Sequence, residues 1–290
     1  MTDENALIDA ALAGDEKALG ELLASVQDQV FNLALRMLGT VPDAEDATQE
    51  VLVKACTRLS GFRRESAFAT WVFRIALNHL ATYRKGLFAQ RPVSFDVYGE
   101  DIASGRERDV PDLSGGADRR LLERELKVSC MHGMLQCLDV EGRSAFVLGT
   151  MFKMDSRAAA DALGITPEAY RQRLSRARAR MATFLTAYCE AAGGSCRCAR
   201  RVDYAIATHR IDPARPGWQT LEVLPDGSAN AQDAEADAGP SVDERADAME
   251  ALDDASGVFA SLPRYRCPAD AAAFARRLVA SDVFARAVSE

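Results

Sequence analysis

A glycine turn followed by an arginine-rich helix constrains this chain more than any other feature. Ser156 to Leu163 reads as a short Ala-rich helix, and Gly164 ends it with the residue best suited to a left-handed turn. Thr166 is a good N-cap, and Pro167 suits the first helical position, where a missing N–H costs nothing. Tyr170, Leu174, Ala177 and Met181 then recur at helical spacing as one narrow apolar stripe. The other faces carry Arg171, Gln172, Arg173, Ser175, Arg176, Arg178 and Arg180. Short helix, glycine turn and cationic second helix predict a helix-turn-helix with its second helix in a DNA major groove. The competing reading is a merely solvated cationic face. The cap, the turn and the preceding helix together favour DNA.

The net charge of −8 has the wrong sign for a protein that coats nucleic acid, so the arginines form a local patch and the acid faces something else. The 290 residues suffice for two domains or more. The first residues, Met1 to Asn5, lack the basic-then-apolar pattern of a signal peptide, and no apolar run approaches the ~18–20 residues of a membrane span. The expectation is a cytoplasmic protein without membrane insertion, whose seven Cys are thiols or metal ligands rather than disulfides.

In chain order, Leu19, Leu22, Leu23, Val26, Val30, Phe31, Leu33, Leu35 and Leu38 make a helix surface broad enough to be buried on several sides. Asp43 to Leu59 is a helix with an acidic start, Asp43, Glu45 and Asp46, followed by Gln49 and Glu50. Acids in a first turn suit the helix dipole at ~0.3–1 kcal/mol each, which explains Asp43 and Glu45. It explains Gln49 and Glu50 less well, and Asp46, Gln49 and Glu50 together suit a protein-binding surface. Gly61 to Ser66 is a loop with Ser66 as a candidate N-cap, and Phe68 to Lys85 is a helix with Phe68, Trp71, Val72, Ile75, Ala76 and Leu80 on its apolar face. Aromatics interleaved with Arg and Asn suit unstacked bases, at ~1–3 kcal/mol per stacked base. Taken alone, an aromatic core stripe with surface Arg is the stronger reading. From Gly86 to Ala117 periodicity fails and Gly, Pro, Ser and Asp dominate, which reads as an extended or disordered linker. Helices resume over Asp118–Leu138 and Glu141–Phe152.

These two helical units, in this order, resemble the bacterial extracytoplasmic-function sigma factors of RNA polymerase, over about residues 5–185. The stretch Asp43 to Leu52 resembles the family's segment for the polymerase β′ clamp, Phe62 to Asn78 its strand-melting and −10-reading segment, and Ala158 to Arg178 its −35-reading region. The resemblance implies an all-α fold of two small helical domains, 1–86 and 118–188, joined by a flexible linker, 87–117, and followed by an extension over 189–290. It implies that the protein is not an enzyme, and that its partners are core polymerase, promoter DNA and, in some members, an anti-sigma factor. By residue, it implies polymerase contacts at Asp43, Asp46, Gln49 and Glu50. It implies −10 contacts at Phe62, Arg63, Arg64, Ser66, Phe68, Thr70, Trp71, Arg74 and Asn78. The seven polar residues of the Arg-rich helix would face −35 DNA. One departure is Tyr170, where many members carry a β-branched residue; it bears on the packing of the helix's first turn. A stand-alone helix-turn-helix regulator with a sensing tail is the rival reading, but it needs neither the acidic stripe nor the melting-like segment.

The extension opens with Cys189, Cys196 and Cys198. With Cys137 they supply four thiolates for a structural zinc, against the simpler reading of free or redox-active thiols. The stretch is similar to Cys-rich ends in a subset of the family. No cofactor is otherwise required. Tyr204, Ile206, Ile211, Trp218 and Leu221 are expected to pack on the second unit or form a hairpin. Residues 222–254 read as an acidic disordered spacer, with an autoinhibitory strand covering the Arg-rich helix as the alternative. Residues 269–288 read as an amphipathic helix with Phe274 and Leu278 on its apolar side and Arg276 and Arg277 solvated.

Overall fold

The computed structural model describes residues 4–83, 86–90, 93–225 and 257–280. Among them every regular element is helical, apart from one isolated bridge between Val223 and Tyr265. The first unit contains α1 (Glu4–Leu12), α2 (Glu16–Leu38), α3 (Val41–Thr57) and α4 (Phe68–Thr82). Helix α2 is its axis: Leu22, Leu23, Val30, Phe31, Leu33 and Leu35 are all buried, as the broad apolar pattern requires. Thr40 rather than a later residue caps α3, and Ser66 caps nothing; Ala67 precedes α4, whose first free N–H, on Phe68, is taken by Glu4 Oε1 at 3.1 Å. A cap supplied from a distant helix leaves no local sequence signal.

The expected linker opens with a short helix, α5 (Leu87–Gln90), and is not extended. It carries α6 (Phe95–Ala103), capped by Ser94, and a 3₁₀ turn at Arg106–Asp109. Phe95 and Tyr98 pack on Phe184 at ring distances of 5.1 and 5.8 Å. Asp101 receives Arg201 at 2.6 Å, Arg210 at 2.8 Å and the Tyr204 hydroxyl at 2.5 Å. Turn-forming composition hid a nine-residue helix whose stability comes from these tertiary partners rather than from its own propensity.

The second unit contains α7 (Arg119–Gln136), α8 (Val140–Phe146) running into a π turn (Val147–Met151), α9 (Ser156–Leu163) and α10 (Pro167–Tyr188). Asp118, Asp139, Asp155 and Thr166 are side-chain N-caps, and Gly164 takes φ +65° between α9 and α10, as the helix-turn-helix reading expects. The π turn answers the Tyr170 question. Tyr170 is fully buried and its hydroxyl donates to the Ala145 carbonyl at 3.4 Å. Its space comes from Gly149: a Cβ there would stand 2.5 Å from the Tyr170 oxygen and 2.6 Å from Leu174 Cδ2.

After a 3₁₀ turn at Glu190–Ala192 the extension carries α11 (Cys198–Ala207), whose Val202 and Ala205 join Leu122, Leu126 and Ile211 in a small core of their own. Trp218 stacks on buried His132 at 4.2 Å, and no hairpin forms over 202–221. After a 3₁₀ turn at Gly257–Ser261, α12 (Ala271–Val279) packs on α2 and α3. It presents Ala272, Ala275 and part of Arg276, while Phe274 is exposed. The expected apolar face is thus rotated, because Arg276 lies across Gly20, where a Cβ would come within 2.6 Å of its Cδ. The acidic spacer from 226 on, and residues 281–290 of the expected last helix, lie outside the described residues. The two units share one continuous core rather than standing apart.

Candidate functional site

At about 100° per residue, burying Tyr170, Ala177 and Met181 points Arg171, Gln172, Ser175 and Arg176 outward. All four are exposed, and Arg176 donates only along the helix, to Gln172 at 3.4 Å. The remaining cations sit on the flanks and are engaged. Arg173 pairs with Glu141 at 3.0 Å. Arg178 donates to Thr150 Oγ1 at 3.1 Å and to the Gly149 carbonyl at 3.3 Å. Arg180 lies 3.5 Å from Asp139 and over the Phe95 ring. The seven residues expected on one DNA face therefore divide into four that face outward and three that reach other elements, of which Arg178 and Arg180 remain exposed.

The segment before and along α4 divides in the same way. Phe62 and Phe68 are buried and pack with half-buried Trp71, at 5.2 Å from Phe62 and 5.8 Å from Phe68. Those two phenylalanines therefore build the platform, and Trp71 forms its rim. Arg63, Arg64 and Asn78 are exposed, Ser66 and Thr70 half-buried. Arg64 takes φ +59° and pairs with Asp9 of α1. Arg74 reaches Asp161 of α9 at 2.5 Å. Phe73, absent from the expected apolar stripe, is buried against Phe152 of the second unit at 5.5 Å. Its position breaks the stripe's spacing because it faces a second unit rather than its own core.

On α3, Thr40 and Asp43 form a reciprocal cap, with the Asp43 N–H donating to Thr40 Oγ1 at 3.3 Å and the hydroxyl donating to Asp43 Oδ2 at 2.6 Å. Asp46 is exposed, Gln49 half-buried, and Glu50 stands 3.5 Å from His79 of α4, which also meets Lys54. Burial, and then the fields of Asp43, Asp46 and Glu50, push the Tyr83 phenol up to about 12. Burial and the adjacent Asp46 also raise the Glu45 carboxyl above its usual range. These carboxylates thus act as one negative patch.

The tail thiols do not meet Cys137. Cys137 is buried, donates weakly to the Gly133 carbonyl at 3.7 Å, and is pushed up to about 12 by burial, against the pull of Arg143 and Arg180. Cys130, two helical turns earlier, is the α7 thiol that feels Cys189 and Cys196, and it receives the Tyr98 hydroxyl at 3.3 Å. Among the described residues no group of three or more His, Cys, Asp or Glu could hold a metal ion. The four thiols named from the sequence do not fit a tetrahedral zinc in this arrangement.

Residues 22–86 match the family described as Sigma-70 region 2. The chain is 31% identical over 176 residues to the RNA polymerase sigma-H factor of Pseudomonas aeruginosa, covering 59% of this chain and 88% of that protein. The chain belongs to the extracytoplasmic-function branch of the sigma-70 family of RNA polymerase sigma factors. The sigma factor NccH of Alcaligenes xylosoxydans is 31% identical over 192 residues, 64% of this chain and 97% of the relative. The sigma-E factor of Escherichia coli is 39% identical over 99 residues, 33% and 49% of the two chains. A solved structure of CnrH in complex with the cytosolic domain of CnrY is 26% identical, with a TM-score of 0.44 over 62% of this chain and 96% of that one. As a sigma factor, the protein binds RNA polymerase and DNA and acts in transcription initiation; such factors are initiation factors rather than enzymes. Among the described residues no helix is long and apolar enough to cross a membrane. The NccH match leaves more than a third of this sigma factor unaligned.

Proposed function

We propose that this sigma factor reads a −35 element with the outward face of α10 and a −10 element with α4 and the loop before it. The negative patch on α3 meets the polymerase clamp. The observation that carries this reading is the separation of charge. Arg171, Gln172, Ser175 and Arg176 form an exposed face on one helix, while Asp46, Gln49 and Glu50 lie together on another. Groove contacts from such a face are worth ~1–3 kcal/mol each, which is enough to select a promoter. Melting would follow from trapping unstacked bases against Trp71 at the rim of the phenylalanine platform, offsetting the few kcal/mol lost on unstacking. The protein's extension regulates it, with a separate anti-sigma factor as the alternative source of control.

Run-off transcription with purified core polymerase tests this reading. The protein as the only added factor should direct initiation from its own promoter. A stand-alone regulator would bind DNA and leave core polymerase inactive.

A further inference from the structure

The segment after the 3₁₀ turn at Gly257–Ser261 runs antiparallel to α2 and is held by its side chains. Arg36 donates to the Pro263 carbonyl at 3.0 Å. Asn32 donates to the Tyr265 carbonyl at 2.6 Å and accepts the Tyr265 N–H at 2.9 Å. Asp28 accepts the Cys267 N–H at 2.8 Å, and Gln27 donates to the Ala269 carbonyl at 3.2 Å. The register is commensurate: four residues of helix rise about 6.0 Å and two residues of extended chain about 6.6 Å. Residues 36, 32 and 28 of α2 therefore meet 263, 265 and 267. The intervening backbone groups turn the other way, with the Leu224 N–H donating to the Arg264 carbonyl and the Arg266 N–H to the Glu222 carbonyl, both at 2.8 Å. The segment is thus read on both edges, as a strand added to a sheet is, with a helix as one edge.

The same segment touches both units. Phe259 is fully buried against Phe146 of α8 at 5.3 Å, and Arg264 lies over Phe152 at 5.5 Å. Arg36 covers that same Phe152 ring at 5.6 Å. The two units also meet where α4 and α9 are in contact through Arg74 and Asp161. That contact is incompatible with simultaneous promoter reading. Elements at −35 and −10 are about 25 base pairs apart, which is about 85 Å of duplex at 3.4 Å per step. Helices that touch cannot reach both.

We propose that residues 257–277 are a built-in clasp. They occupy a strand-reading groove on α2, hold the two units closed, and leave that groove before both promoter elements are engaged. This inference rests on the promoter-reading assignment above and adds the device that controls it.

Two substitutions on the tail side test it in the full chain without altering α2. Tyr265→Ala removes the anchoring ring. Cys267→Pro removes the N–H donated to Asp28. Non-cysteine probes at exposed Thr57 and Thr183 report the distance between units, and run-off transcription reports output. Wild type should give one short distance; each variant should broaden it and raise run-off about tenfold. Unchanged distances, or unchanged or reduced run-off with helical content intact, overturn the clasp. Loss of helical content in both variants overturns it too, because the segment would then be part of the fold. If neither wild type nor the opened variants activate core polymerase, the sigma reading of the site fails, while the distance measurement still decides whether the clasp holds the units together.

Discussion

Arg74 and Asp161 stand 2.5 Å apart across 87 residues of sequence, and they are a point where α4 meets the helix-turn-helix. Their side chains are 43% and 67% exposed, so water screens the pair and it contributes only about 0.2–1 kcal/mol. Phe73 on Phe152, and the tail across Arg36, carry the closure instead. Asp161→Ala should therefore lower unfolding stability by less than about 1 kcal/mol in urea melts. A loss several times larger would mean that the ion pair itself organises the interface.

The division of the arginines on α10 predicts two different phenotypes. Arg176→Ala removes an outward cation, so the slope of log binding constant against log salt on any duplex should become shallower by about 0.9. Arg178→Ala removes two internal hydrogen bonds and should cost about 1–3 kcal/mol of stability with little change in slope. Salt titrations by fluorescence anisotropy separate them, and identical slopes for the two variants would erase the distinction.

Gly149 and Tyr170 make a packing prediction. Gly149→Ala places a methyl group 2.5 Å from the Tyr170 oxygen and should destabilise by about 1–3 kcal/mol. Tyr170→Phe in the same chain removes the oxygen and should recover part of that loss. Additive effects in thermal melts would show that the two positions do not meet.

The helix-turn-helix and the α2 core were legible because their signals are local: a cap, a glycine and an apolar period. The α6 helix was hidden because its partners, Phe184 and Arg201, lie far along the chain. The tail groove was hidden for a related reason. Asp28, Asn32 and Arg36 read as polar residues on a long helix, and nothing local shows that they bind an extended strand. Which α7 thiol lies beside the tail was not legible either. Cys130 and Cys137 are seven residues apart, so they share a helix face, and periodicity says nothing about which one lies beside the tail. The two are about 10.5 Å apart along the axis, and Cys130 is the one that feels Cys189 and Cys196.

His132 gives a pH dependence. Burial first, and Arg36 in addition, pull its imidazole down to about 3, while its Nδ1 contacts the Val128 carbonyl at 3.0 Å. The unfolded chain takes up that proton near pH 6.5 and the folded chain does not. Stability therefore falls as pH drops from about 6.5 toward 3, by up to about 1.4 kcal/mol per pH unit. His132→Gln should flatten the profile between pH 7 and 5, measured by chemical denaturation. Equal slopes in wild type and variant would place the histidine in water.

The rest depends on the negative patch of α3, with Asp46 exposed on it, docking on polymerase while α10 serves DNA. Asp46→Arg reverses one exposed charge on that patch and leaves α10 untouched. Titrating both proteins against fluorescent core polymerase, and separately against duplex DNA, tests the claim most directly. Asp46→Arg should lose about tenfold or more in core affinity with duplex binding unchanged. Equal core affinity for the wild type and Asp46→Arg would contradict it.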